Sequence, residues 1–221
     1  MNTRAFVISV AAVLAASIII IVCAFICGGA EMVFESDYFF VCYTVRDNAL
    51  SADAISDTVS SYGGAGYILE YGGNYYVTVA CYYSENEAKT VKNSLLRRGL
   101  NCTLLEVNTK EYPINPAGLK KYGKLYKGNM NTLYSLSKLC YECANGLDIG
   151  KINQTSAKSV IKNVESGLTA LEKANPENCF TAPLKRILAE CDAAGQGYIL
   201  SKNMRKVQIA IVDCLINIDM V

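Results

Sequence analysis

From Ala5 to Cys27 no residue is charged, and Ser9 and Ser17 are the only hydroxyls. A helix of these 23 residues, rising about 1.5 Å per residue, is long enough to span a hydrocarbon core of about 30 Å. Arg4 precedes the run, while Glu31, Glu35 and Asp37 follow it. The positive-inside rule therefore places residues 1–4 in the cytoplasm and everything after Gly28 outside. The pattern predicts one transmembrane helix over 5–27. The rival reading is a cleaved signal peptide, since Gly28-Gly29-Ala30 offers small residues before Glu31; its apolar core would be unusually long. Both readings export the rest of the chain.

Beyond this run the pattern changes to short alternating segments that repeat. Phe40 to Val45 and Tyr76 to Cys81 match at an offset of 36. The offset continues through Ala52 and Ala88, Ile55 and Val91, Val59 and Leu95, Gly63 and Gly99, and Ile68-Leu69 and Leu104-Leu105. Each unit reads as a strand, a polar break, a helix, a glycine stop and a second strand. Ser84-Glu-Asn-Glu87 has the spacing of a capping box. Ala88, Val91 and Leu95 recur on one helical face, and Gly99 supplies the left-handed stop. Ser51 precedes the corresponding helix of the first unit, and Gly72-Gly73-Asn74 joins the two units as a hairpin.

Two such units make a βαββαβ chain, an antiparallel four-stranded sheet with both helices on one face. The first and third strands are expected at its centre. Along the third, Val77, Val79 and Cys81 alternate with Tyr76, Thr78, Ala80 and Tyr82. The apolar set should meet the helices and the tyrosine-bearing set should face away. By the repeat, Val41, Tyr43 and Val45 point inward and Phe40, Cys42 and Thr44 outward. The expected open face therefore carries Phe40, Cys42, Thr44, Tyr76, Thr78 and Tyr82, aromatic platforms beside small polar groups that suit a saccharide.

Tyr75-Tyr-Val-Thr-Val-Ala-Cys-Tyr82, followed by Ser84-Glu-Asn-Glu-Ala88 and Leu95 to Gly99, resembles the SPOR (sporulation-related repeat) domain over residues 38–107. That family's pattern is an aromatic, then Val-Gln-Val-Gly-Ser-Phe, a polar break and an alanine-led helix ending in glycine. The resemblance implies a βαββαβ fold and binding of peptidoglycan glycan strands stripped of peptides. It also implies a single-span protein of the bacterial plasma membrane, active in cell division, sporulation or wall remodelling. Here Thr78 and Cys42 stand where the family has glutamine, and Ala80-Cys81 and Thr44-Val45 replace Gly-Ser.

After Val107 the texture becomes helical. Residues 108–118, with Pro113 and Pro116, read as a linker. Over 119–221 four apolar faces follow at helical spacing: Leu119 to Cys140, Val160 to Leu171, Leu184 to Cys191, and Met204, Val207, Ile211, Leu215 and Ile218. Short joins between them suggest an all-α bundle, a candidate site for an envelope protein partner.

Composition and charge narrow the chemistry. The chain has no histidine, which excludes Ser-His-Asp and Cys-His catalysis and the commonest zinc ligand. Residues 31–107 hold five basic and ten acidic side chains, a balance that repels nucleic acid. Residues 110–221 hold fifteen basic and ten acidic. Cys42, Cys81 and Cys102 fall inside apolar strand patterns and read as core residues. Cys140-Tyr-Glu-Cys143 lies in a helical stretch with no second pair at metal spacing. Ser135-Leu-Ser-Lys138 has the spacing of penicillin-binding enzymes, but their Lys-Thr-Gly strand motif is missing. No cofactor, metal site or enzymatic activity is expected. The expected function is non-catalytic glycan binding, and the alternative is envelope scaffolding through protein partners.

Overall fold

A computed structural model describes residues 36–109, 116–174, 181–194 and 198–217, with backbone only for 116–127 and 192–194. The elements are β1 (Asp37–Arg46), α1 (Ala49–Ser61), β2 (Tyr67–Tyr71), β3 (Asn74–Tyr82), α2 (Glu85–Arg97), β4 (Thr103–Asn108), α3 (Pro116–Asp148), α4 (Gln154–Ala174), α5 (Thr181–Ala194) and α6 (Ser201–Asn217).

The four strands form one antiparallel sheet in the order β2-β3-β1-β4. Gly72 and Gly73, with φ of 57° and 75°, make the two-residue turn between β2 and β3. Two consecutive positive φ angles match the twist of paired strands and favour glycine. Helix α1 starts under Asn48, whose side chain accepts a hydrogen bond from the Ser51 amide. Ser84 occupies the N-cap of α2 but makes no side-chain cap bond. The capping box expected there is not formed; Glu87 instead accepts a hydrogen bond from the Tyr141 hydroxyl at 2.8 Å.

Helices α1 and α2 lie on one face. Ala52 and Val59 pack with Val77, and Ala88 packs with Phe39, Val41 and Ala80. The opposite face is where the expected architecture fails. It is not open. Tyr38, Phe40, Cys42, Leu69 and Cys81 run without a break into the core of the carboxy-terminal helices, alongside Leu133, Leu136, Leu168, Met204 and Ile211. The expected fold class, a sheet covered on one face followed by a separate bundle, is corrected to a single α+β body, with six helices among the described residues, in which the sheet is covered on both faces.

Helix α6 sits at the centre of this arrangement. It contacts α3, α5, β2 and β3. Met204, Val207, Ile211 and Leu215 are buried, as are Gln208, Ile209, Ala210, Val212 and Ile216. Buried side chains on most sides of a helix require other elements around it. Helices α3, α4, α5 and α6 contact one another in succession, and α6 closes on α3. Helix α3 begins at Pro116, inside the stretch expected as a linker.

The transmembrane helix expected over 5–27 lies outside the described residues. Among the described residues, no helix is long and apolar enough to cross a membrane.

Candidate functional site

The six residues expected on a saccharide face do not form a free surface, and Tyr82 lies on the other side of the sheet from Phe40 and Cys42. Phe40, Cys42 and Thr78 have 0% exposure. Thr78 donates its hydroxyl to the Tyr67 carbonyl at 2.8 Å, and burial pushes the Cys42 thiol well above its ordinary range. Tyr76 is half-buried against the same core, and Thr44 is half-buried near the end of β1.

Tyr82 departs further, because the strand register shifts. Val41 pairs with Ala80, but Cys42 pairs with Thr78, leaving Val79 without an opposite residue. A bulge of this kind puts two consecutive residues on one face and inverts the alternation beyond it. Val79 and Ala80 both join the α1/α2 side, Tyr82 follows them, and Cys81 turns to the carboxy-terminal helices.

Just beyond β3, Tyr83 organises a seam that the sequence pattern did not mark. Its ring meets those of Tyr38, Tyr134 and Tyr141 edge-on at centroid distances of 5.7, 5.8 and 5.3 Å. Its hydroxyl donates to Ser137 Oγ at 2.7 Å, and Ser137 donates to the Tyr134 carbonyl at 2.8 Å. Lys138 Nζ lies 4.1 Å from the Tyr83 ring centroid, a cation–π contact. Burial, with Glu87 second, pushes the Tyr141 hydroxyl up to about 12. On α6, Gln208 Nε2 donates to the Cys81 carbonyl at 3.0 Å. These side chains fasten the helical layer to the sheet. Their sequence signal was a polar Gln208 between apolar Val207 and Ile209 on α6.

At the other end of the sheet an open cavity of about 640 Å³ lies beside the β2–β3 hairpin, lined by Ile68, Glu70, Tyr71, Tyr75, Asp213 and Asn217 among others. Asp213 Oδ2 accepts a hydrogen bond from the Tyr67 hydroxyl at 2.6 Å. Burial nevertheless raises the Asp213 pKa, outweighing the hydrogen bonds from Tyr67 and Asn217, and Glu70 pushes the same way. Folded Asp213 therefore keeps its proton to higher pH than the unfolded chain does. Through the window just above the ordinary carboxylate range the folded state binds more protons, so stability falls as pH rises. Asp213→Asn remains neutral and still accepts from Tyr67. Its stability relative to wild type should rise as pH climbs upward from the ordinary carboxylate range, measured as denaturant midpoints of the full-length protein in detergent. A pH-independent difference would contradict the assignment.

The cysteines and the serine–lysine pair are engaged in packing. The seven thiols Cys42, Cys81, Cys102, Cys140, Cys143, Cys191 and Cys214 are free, and all but Cys214 are buried. Burial pushes the Cys143 thiol up to about 12 and that of Cys140 well above its usual range, the reverse of what a thiolate nucleophile or metal ligand needs. Among the described residues no group of three or more His, Cys, Asp or Glu side chains could hold a metal ion. Ser135 donates to the Asn131 carbonyl at 2.8 Å, while Lys138 lies over Tyr83.

No family model, curated protein or solved structure matches the chain. The likeness of residues 38–107 to SPOR domains rests on the motif residues alone.

Proposed function

We propose that this protein is a non-catalytic scaffold of the bacterial cell envelope, exported by its uncharged amino-terminal run and acting through protein partners. One observation carries the choice of scaffolding over glycan binding. The face that the SPOR resemblance assigns to glycan is filled by the chain's own helices, and Phe40, Cys42 and Thr78 have no exposed surface. A sugar needs an accessible aromatic platform. Reaching this one requires lifting α6 off the sheet, which exposes its buried apolar stripe and breaks the Gln208–Cys81 and Tyr67–Asp213 hydrogen bonds.

The test is co-sedimentation of the full-length protein in detergent with intact and amidase-denuded peptidoglycan. No pelleting above a non-binding control is the expected result for either wall preparation. Cross-linking in native membranes should yield a discrete adduct with another envelope protein. Saturable pelleting that favours denuded strands would overturn scaffolding and restore glycan binding.

A further inference from the structure

Six large apolar side chains stand exposed among the described residues: Leu50, Tyr62, Leu96, Ile149, Tyr198 and Leu200. Their distribution is uneven. Leu50 lies in the first turn of α1 and Leu96 in the last turn of α2, at the end of the sheet where β1 finishes. The other four gather at the opposite end. Lys202 Nζ donates to the Ser60 carbonyl at 2.9 Å, bringing the start of α6 to the end of α1, two residues before Tyr62. Arg205 pairs with Asp148, the last residue of α3, next to Ile149. The Gln154 side chain bonds both the amide and the carbonyl of Ile199, at 2.6 and 3.0 Å, fixing Tyr198 and Leu200 on either side.

This is also the end at which the chain enters the body. Ser36 is bound to Thr109 there, through its amide at 3.1 Å and its carbonyl at 3.0 Å, and Asp37 pairs with Asn108. Tyr141 reaches Glu87 in the first turn of α2. The seven residues of α3 after Tyr141 advance it about 10 Å further, carrying Ile149 past the sheet. Eight residues, 28–35, separate Ser36 from the uncharged run. Fully extended they reach about 28 Å, so the body is held close to whatever that run enters.

We propose that this end is a bilayer-docking surface, with Tyr62, Ile149, Tyr198 and Leu200 seated in the headgroup region of the membrane. The inference rests on the envelope reading above, in which the run from Ala5 to Cys27 enters that membrane. Tyrosines with an apolar ring and a polar tip suit the membrane–water interface, and leucine and isoleucine gain by leaving water there. Exposed Lys151 lies beside Ile149 and adds positive charge. Of the acidic groups of this end, Asp148 is paired with Arg205 and Glu87 accepts from Tyr141, while Asp37, Glu85 and Glu106 belong to the sheet and α2.

The chain contains no tryptophan, so a single introduced tryptophan is the only such reporter. Full-length Tyr198→Trp, Ile149→Trp and, as the distal control, Leu50→Trp would be reconstituted into phosphatidylcholine vesicles with and without brominated acyl chains. Docking requires emission from the first two to fall about twofold or more on bromination, while the control stays unchanged. Equal quenching at all three positions overturns the proposal. Blue-shifted emission that bromine does not quench also overturns it, because protein then covers the patch. Failure of the chain to float with the vesicles would instead remove the membrane assignment itself, so the two failures are told apart.

Discussion

Replacing Phe40 with alanine will lower the unfolding free energy of the protein by about 3–5 kcal/mol. Phe40 has 0% exposure and belongs to the core that joins the sheet to the carboxy-terminal helices. Deleting its ring removes apolar surface that folding takes out of water. It also leaves a cavity between two layers whose hydrogen bonds, Gln208 to Cys81 and Tyr67 to Asp213, keep them from closing fully over it. A solvent-facing phenylalanine on an open sheet would behave differently, since truncating an exposed side chain usually costs within about 0.5 kcal/mol. The measurement therefore separates a covered sheet face from a free one. Denaturant titration of the full-length protein in detergent supplies it, and a loss below about 1 kcal/mol would mean that the helical layer does not seal this face.

Gly66→Ala should be nearly as damaging, at about 3 kcal/mol. Gly66 has φ of +61°, and a Cβ there would lie 2.6 Å from the Ser56 carbonyl oxygen and 3.1 Å from Ser60 Cβ. The oxygen belongs to α1, and the Ser56 hydroxyl donates to the Gly66 carbonyl, so neither segment can withdraw without losing that bond. Gly72→Ala is the matched comparison. Its φ of +57° carries the same backbone strain, but no atom lies within 4 Å of the added carbon. About 1 kcal/mol is expected there. Equal losses at the two positions would show that the contact with Ser56 plays no part.

The local elements were legible because they follow from short-range chemistry. Alternation of Val77 and Val79 with Tyr76 and Thr78 marks β3, and Gly72-Gly73 marks its turn. Ser84, a small polar residue before an apolar helical pattern, marks the start of α2; α1 was expected to follow Ser51 and begins instead under Asn48. The candidate site was less legible. Its assignment assumed unbroken alternation through Tyr82, and the bulge at Val79–Ala80 inverts that alternation. Nothing local forecasts the bulge: Val-Ala is ordinary strand sequence, and the shift exists only relative to Val41 and Cys42 on the neighbouring strand.

Covering of the sheet left one trace in the sequence. Helix α6 carries the apolar face Met204, Val207, Ile211 and Leu215, but also Ile209, Ala210, Val212 and Ile216 on its remaining sides. A bundle helix with one buried stripe has no use for the second set, which marks a surface needing another partner. That partner is a sheet face tied to α6 by hydrogen bonds across 127 and 146 residues, Gln208 to Cys81 and Tyr67 to Asp213. The sequence by itself determined the strands, the helices, the chain reversal at Gly72-Gly73 and the exclusion of histidine chemistry, because each depends on residues within a few positions of one another or on composition alone. Only the tertiary structure decided that Phe40, Cys42 and Thr78 are interior, that Tyr83 gathers Tyr38, Tyr134 and Tyr141, and that Tyr62, Ile149, Tyr198 and Leu200 share one end. Those outcomes depend on which distant faces bury each other, and an apolar stripe states that it needs a partner without naming it.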